Sequence, residues 1–365
     1  MNRLPLRVAA ADRSPAFDAA ALAAAVQHNC DLADARHATE LTLCIYLLQM
    51  RELFRWERGF ALGASLPQAE VGAWLDARER LWDELEDAPY RELPLGDGVL
   101  DPFDSATVNE RLLPHGLVYG AGRLATGRPL FFLGELERAE QRQGLQVRLA
   151  GRELARGLAA PPAALCGEEV LLRRDALRRW LWERFETWGP RGSGHAFMQA
   201  MQAAGHRGGD PARALDALAE IELETLLLHE IGEHRAGLVL GPGWSEMRLA
   251  TGRERRIEPR LRALRDHLAD CLVTLPALVE GGAPAALHLW FANLDGLRLE
   301  MFPRLAAAYA SWREDDAGRA LRSAIEAGSR HWPELAARLV RLHADRGAGS
   351  PAAIIDCLGA ADARC

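Results

Sequence analysis

The hexapeptide His229-Glu230-Ile231-Gly232-Glu233-His234 follows an apolar run, Leu226-Leu227-Leu228, and places four side chains able to hold a metal or move a proton within six residues. On a helix turning about 100° per residue, with His229 at zero, Glu233 falls near 40°, Glu230 near 100° and His234 near 140°. All four therefore project from less than half of the helix surface, as two i,i+4 pairs: His229 with Glu233, and Glu230 with His234. Ionisable groups beside three leucines are costly to bury unless a divalent metal or a proton network neutralises them. Glu230 and His234 are the first candidate ligands, with His229 and Glu233 as the candidate catalytic, proton-carrying pair. On a solvated face the same spacings would be ordinary ion pairs, contributing roughly a few tenths of a kcal/mol each.

Two further clusters follow in the sequence. Asp266, His267 and Asp270 set two carboxylates at i,i+4 spacing with an imidazole beside them, and His288 and Asp295 stand seven residues apart on what reads as one helix. Antiparallel neighbouring helices would bring Asp266, Asp270 and His288 into the same ligand set. Oxygen and imidazole donors on facing helices suit zinc, iron or manganese, and the excess of carboxylates favours iron in a redox-capable or dinuclear centre. The expected function is a metal-dependent enzyme acting on a small-molecule substrate. A helical interaction protein, in which the charged hexapeptide orders an interface, is the non-enzymatic alternative.

Known templates match in part. A thermolysin-type zinc motif needs His at position 233, where this chain has Glu. Ferritin-like di-iron proteins carry Glu-x-x-His, which this helix lacks. LLLHEIGEH resembles the LLHDIG segment of HD-type metal-dependent phosphohydrolases, with His229 and Glu230 standing for the His-Asp doublet. That resemblance implies His206 as an upstream ligand and Asp266 or Asp270 as a downstream one. Glu230-x3-His234 is similar to the ligand spacing on one helix of haem-oxygenase-like di-iron enzymes, which implies an oxidase or oxygenase drawing further carboxylates from Glu40, Glu52 or Glu57. Over the whole chain, DPFDSATVN (101–109), HGLVYGAG (115–122), RPLFFLGEL (128–136) and LLLHEIGEH together resemble an uncharacterised, largely helical bacterial family with no assigned activity.

Composition removes other classes. The chain contains no lysine, so all 44 basic residues are arginine. A P-loop, a protein kinase and a pyridoxal enzyme each need a lysine and are excluded. A formal net charge of -7 argues against nucleic-acid binding. The six cysteines form no CxxC pair, so zinc ribbons and iron–sulfur spacings are unsupported. Gly120-Ala121-Gly122 opens no helix and reads as part of a hairpin rather than a dinucleotide fingerprint. No apolar run approaches the ~20 residues of a bilayer span, and MNRLPLRVAAADRS lacks a signal-peptide core, so a cytoplasmic protein without membrane partners is the expectation. Nothing in the sequence specifies an oligomeric state.

The elements that must position these residues are mostly helical. Residues 1–88 read as a helical opening unit, 89–160 as a segment carrying a β-ribbon, and 161–365 as a helical domain bearing the site. The fold expected is mainly α, a bundle-like core with a small antiparallel β-ribbon insertion. Alternation of Leu117, Tyr119, Phe131 and Leu133 with smaller or polar neighbours predicts the ribbon within 115–149. Helical patterns fall at 36–58, 68–87, 174–188, 193–204, 210–240, 258–279, 285–309, 317–328, 332–345 and 351–358. The 210–240 helix has a capped start at Asp210-Pro211 and a stop at Gly241-Pro242-Gly243. Gly232 is its weak point, costing about 1 kcal/mol against Ala.

Overall fold

The computed structural model describes residues 17–365 apart from 97, 124–127, 190, 191, 193, 253, 315 and 316. The opening segment 1–14, the start of the 193–204 pattern and the turn at 124–127 lie outside the described residues. The chain forms two compact units, 1–142 with 146–182 and 143–145 with 183–365.

The first unit opens with three helices, α1 (Ala19–His37), α2 (Leu43–Glu57) and α3 (Gln68–Leu85). Asp18 caps α1, its carboxylate accepting the Ala20 and Ala21 amides at 2.8 and 3.2 Å. In α2 the buried apolar residues are Met50, Leu53 and Phe54, with Glu52 and Arg55 buried beside them, whereas Leu43, Ile45, Leu47 and Leu48 are exposed. A short antiparallel pair, β1 (Leu93–Leu95) with β2 (Gly98–Leu100), and α4 (Ser105–Leu112) lead into a five-stranded sheet. Its strands are β3 (Leu117–Arg123), β4 (Pro129–Arg142), β5 (Leu145–Arg156), β6 (Ala163–Cys166) and β7 (Glu169–Arg173), in the order β3-β4-β5-β7-β6. β3 and β4 pair antiparallel with Tyr119 opposite Leu133. β5 and β7 run parallel, and β6 closes against β7 antiparallel.

The β element is therefore a mixed sheet rather than the small antiparallel ribbon expected. Both faces are covered, which explains the uninterrupted apolar run at 130–133. Tyr119, Phe131 and Leu133 pack on Leu22, Val26 and Cys30 of α1, while Val118, Phe132 and Ala150 are buried on the other side. Charges are buried here too. Glu153 of β5 accepts two hydrogen bonds from Arg173, at 2.9 and 2.6 Å, and one from Arg179; Arg128 pairs with Asp34. The planar guanidinium of Arg173 presents two N–H groups to one oxygen, Glu153 Oε1, leaving Oε2 for Arg179.

The helix α5 (Arg174–Trp188) runs from the first unit into the second, whose later helices are α6 (Ala196–Ala203), α7 (Ala212–Thr251), α8 (Glu258–Ala269), α9 (Leu275–Gly281), α10 (Pro284–Ala292), α11 (Gly296–Met301), α12 (Pro303–Arg313), α13 (Arg319–Arg346) and α14 (Ser350–Gly359). As expected, α7 is continuous through 240. Asp210 accepts the Ala212 amide at 3.0 Å at its start, and Gly241, at φ +71°, breaks it before a second helical stretch begins at Pro242. α8 passes into α9 through a π-helical turn, Asp270–Thr274.

Three helical expectations need correction. Residues 36–58 are not one helix, because α1 ends at His37, a tight turn covers Ala38–Glu40 and extended Leu41 precedes α2. Residues 285–309 form three helices instead of one, because Asp295-Gly296 and Phe302-Pro303 interrupt the pattern; Gly296 takes φ +47°. Residues 317–328 and 332–345 merge into α13 across Pro333, held by the buried neighbours Trp332 and Leu335. The core of this unit gathers Trp332, Phe302, Leu264, Leu268, Met247 and Leu339.

Candidate metal centre

α7 presents Leu223, Leu227 and Ile231 to the interior, and the hexapeptide continues that buried stripe with Glu230 and Gly232. At Gly232 the backbones of α7 and α8 come together: a Cβ there would lie 2.6 Å from the carbonyl oxygen of Ala269. This approach sets His229 and Glu233, one turn apart on α7, against Asp266 on α8 and Asp270 at the start of the π turn. π turns recur at functional sites because the extra residue shifts a side chain out of helical register.

Asp270 is fully buried and uses both carboxylate oxygens. Oδ1 accepts from His229 Nδ1 at 2.9 Å and Oδ2 from Arg298 Nη2 at 2.5 Å. Burial would raise its pKa, but the His229 and Arg298 charges prevail and hold it at about 2. Burial would lower His229, yet the Asp270 charge and hydrogen bond, with Glu230 and Glu233, push it up to about 10. Because His229 Nδ1 donates to Asp270, its Nε2 turns to the other side, 3.8 Å from Glu233 Oε1. Glu233 Oε2 in turn pairs with Arg265. Ligand-capable atoms of His229, Glu233 and Asp266 all lie within 4.8 Å of one another. Ligands of a bound zinc or iron ion stand about 3 Å apart, so these three donors lie somewhat wider than an ion would hold them.

Two carboxyls beside the group are adapted to holding a proton. Glu230 is buried and raised to about 7 by loss of solvent, an effect the His229 charge only partly offsets. Glu222, two helical turns before His229, is raised to about 8 by burial. Asp266 is likewise raised by burial, with His229 and Arg298 opposing.

The structure thus brings together His229, Glu233 and Asp266, with Asp270 behind His229 and Glu230 beside them. Among the described residues His234, half-buried, is not in the ligand-capable group. His267 is a neutral core histidine: its Nε2 donates to the Arg298 carbonyl at 3.0 Å, its ring stacks on Trp332, and burial followed by the Arg298 charge lowers it to about 3. His288 belongs to a different pocket, bonded through Nδ1 to the Tyr309 hydroxyl at 2.7 Å. Asp295 is exposed just before α11 and shares no helix face with His288. His206 packs edge-on against Phe185 and lines the same pocket as His288.

In the first unit Glu40 bonds His37, Glu52 pairs with Arg51 and Arg55, and Glu57 with Arg78. Arg265, whose place beside the 266–270 cluster in the sequence marks it as an ion-pair partner, neutralises Glu233, while Arg298, which neutralises Asp270, has no such local signal.

Fold and site define a two-unit, helix-rich protein with a histidine–carboxylate centre on one helix pair of its second unit. The chain belongs to the family of unknown function DUF6866, whose N-terminal domain model matches residues 21–173 and whose C-terminal domain model matches residues 178–360. No curated protein and no solved structure matches it. Among the described residues no helix is long and apolar enough to cross a membrane.

Proposed function

We propose that the second unit is a metal-dependent enzyme whose divalent ion is held by His229 Nε2, Glu233 and Asp266, and which acts on a small-molecule substrate. One observation carries the reading: Asp270 ties down His229 Nδ1 at 2.9 Å and turns Nε2 toward Glu233. A carboxylate behind a ligating imidazole fixes its tautomer and orientation and raises its basicity. The π turn, the charge-compensated Asp270 and the proton-holding Glu230 support the same reading.

A mononuclear centre is favoured over the di-iron arrangement. A second ion would need Asp270, which His229 and Arg298 already occupy, and Glu233 is shared with Arg265. A histidine with two carboxylates accepts zinc, iron or manganese. Such an ion supplies Lewis acidity and lowers the pKa of a bound water, so hydrolysis, the chemistry implied by the HD-type resemblance, is the preferred reaction class over oxidation. Glu230 then serves as proton carrier, because a carboxyl poised near 7 exchanges protons at neutral pH.

A second reading has its own support. An imidazolium at His229 between Asp270 and Glu233, with Arg265 and Arg298 outside, is a network of ion pairs that pairs every carboxylate in it with a cation and needs no metal. Elemental analysis of untagged protein separates the two. Stoichiometric zinc, iron or manganese that His229→Ala removes supports the enzyme. A metal-free protein that binds none of these ions on titration leaves the structural network.

A further inference from the structure

The second unit contains another concavity, of about 800 Å³, between α6, the loop that follows it and α10. That volume falls among the sizes of small-molecule sites. Its polar lining consists of the imidazoles of His206 and His288, the guanidinium of Arg207 and the amides of Gln199 and Gln202; Met198 adds an apolar surface. Among the described residues no carboxylate lines it. Arg207, His206 and the amides of Gln199 and Gln202 can donate hydrogen bonds to an oxyanion, whereas His288 commits its Nδ1–H to Tyr309 and donates from Nε2 only as an imidazolium.

Two of these groups are held in place. Arg207 Nη1 donates to the carbonyls of Gln202 and His206 at 2.6 and 3.0 Å, which fixes the guanidinium while its other donors stay available. His288 is anchored through Nδ1 to Tyr309 Oη at 2.7 Å, and the Tyr309 hydroxyl reaches Gln199 Oε1 at 3.2 Å. Tyr309 itself stacks on Phe291 at 4.1 Å and beside Trp312 at 5.9 Å, so the relay rests on a rigid aromatic wall. A second guanidinium, that of Arg313, lies over the Tyr309 ring at 5.8 Å, and its charge adds to the positive field around His288. Preorganised donors, positive potential and an apolar patch are the attributes of a site for an organic acid.

We propose that this pocket binds a small organic anion, a phosphate monoester or carboxylate. Its acid group takes hydrogen bonds from Arg207 and His206 beside the His288 ring, and its apolar part lies against Met198. The inference is independent of the metal centre, to which none of these residues contributes.

Phenyl phosphate, benzoate and phenol serve as probes against the full-length chain, with the histidine ring signals followed by NMR. Phenyl phosphate or benzoate should bind saturably and shift the His206 and His288 signals while leaving His229 in place, and phenol should not bind. The tighter of the two acids identifies which oxyanion the pocket prefers. Arg207→Gln, on an exposed loop and outside the core, should weaken binding about tenfold, the contribution of one charge-assisted hydrogen bond. Failure of both acids to shift His206 and His288, shifts that phenol reproduces, or unchanged affinity in Arg207→Gln would overturn the proposal.

Discussion

Gly232 and Ala269 are in backbone contact across α7 and α8, with room for no Cβ: an added methyl carbon would lie 2.6 Å from the Ala269 carbonyl oxygen. Helix propensity alone predicts that alanine here stabilises by about 1 kcal/mol. The contact reverses that sign, since the obstacle is backbone and cannot rotate away. Gly232→Ala should destabilise the protein by about 1–3 kcal/mol, the usual cost of overpacking. Gly237→Ala, on the same helix with nothing within 4 Å of its added Cβ, should be neutral or stabilising. Denaturant midpoints of the two variants check this, and a stabilised Gly232→Ala would refute the close approach.

The centre predicts unequal roles for the two histidines of the hexapeptide. His229→Ala and Glu233→Gln should abolish metal binding, whereas His234→Ala should retain wild-type metal content. Asp270→Asn removes the charge behind His229 Nδ1 and should weaken metal affinity about 10–100-fold, as loss of a carboxylate partner does elsewhere. Competitive metal titration gives these numbers directly.

Glu222 predicts a stability that falls with rising pH. Its folded-state pKa of about 8 exceeds the ordinary 4.5, so the fold favours the protonated carboxyl. The stabilisation is complete below pH 4.5 and is lost as pH rises through 8. Glu222→Gln removes this titration. The variant should therefore gain stability over wild type as pH rises from 5 to 9, by a few kcal/mol at the upper end, about 1.4 per pKa unit. Thermal melts at the two pH values measure the difference; a pH-independent gap would mean that Glu222 is charged in the fold.

Glu153 has the opposite sign. Burial would raise its pKa, but Arg173, Arg179 and Arg156 hold it at about 2, below the ordinary 4.5. Its contribution is present above pH 4.5 and disappears as pH falls through 2. Glu153→Gln leaves three buried guanidinium groups without their shared counter-charge and should cost about 3–5 kcal/mol at neutral pH. Hydrogen exchange of the β5 and β7 amides should show the loss within the first unit.

What the sequence by itself determined about this protein was local. The capped start of α7, its apolar stripe and its end at Gly241 were readable because Asp210, the leucine spacing and a glycine at φ +71° act within a few residues. So was the β3–β4 hairpin, which alternating Leu117, Tyr119, Phe131 and Leu133 announce. The donor types of the centre were also legible, since two carboxylates and an imidazole at i,i+4 spacings define helix faces. Tertiary structure decided which donors meet. His229, Glu233 and Asp266 converge, and His234 and His288 do not, because helix pairing is set by the Gly232–Ala269 contact and the π turn, neither of which has a periodic signature. Non-local pairing likewise hid the parallel β5–β7 ladder and the fusion of α13 across Pro333. Periodicity reports which face of an element is apolar; the partner that covers it lies far away in the chain, and only packing selects it.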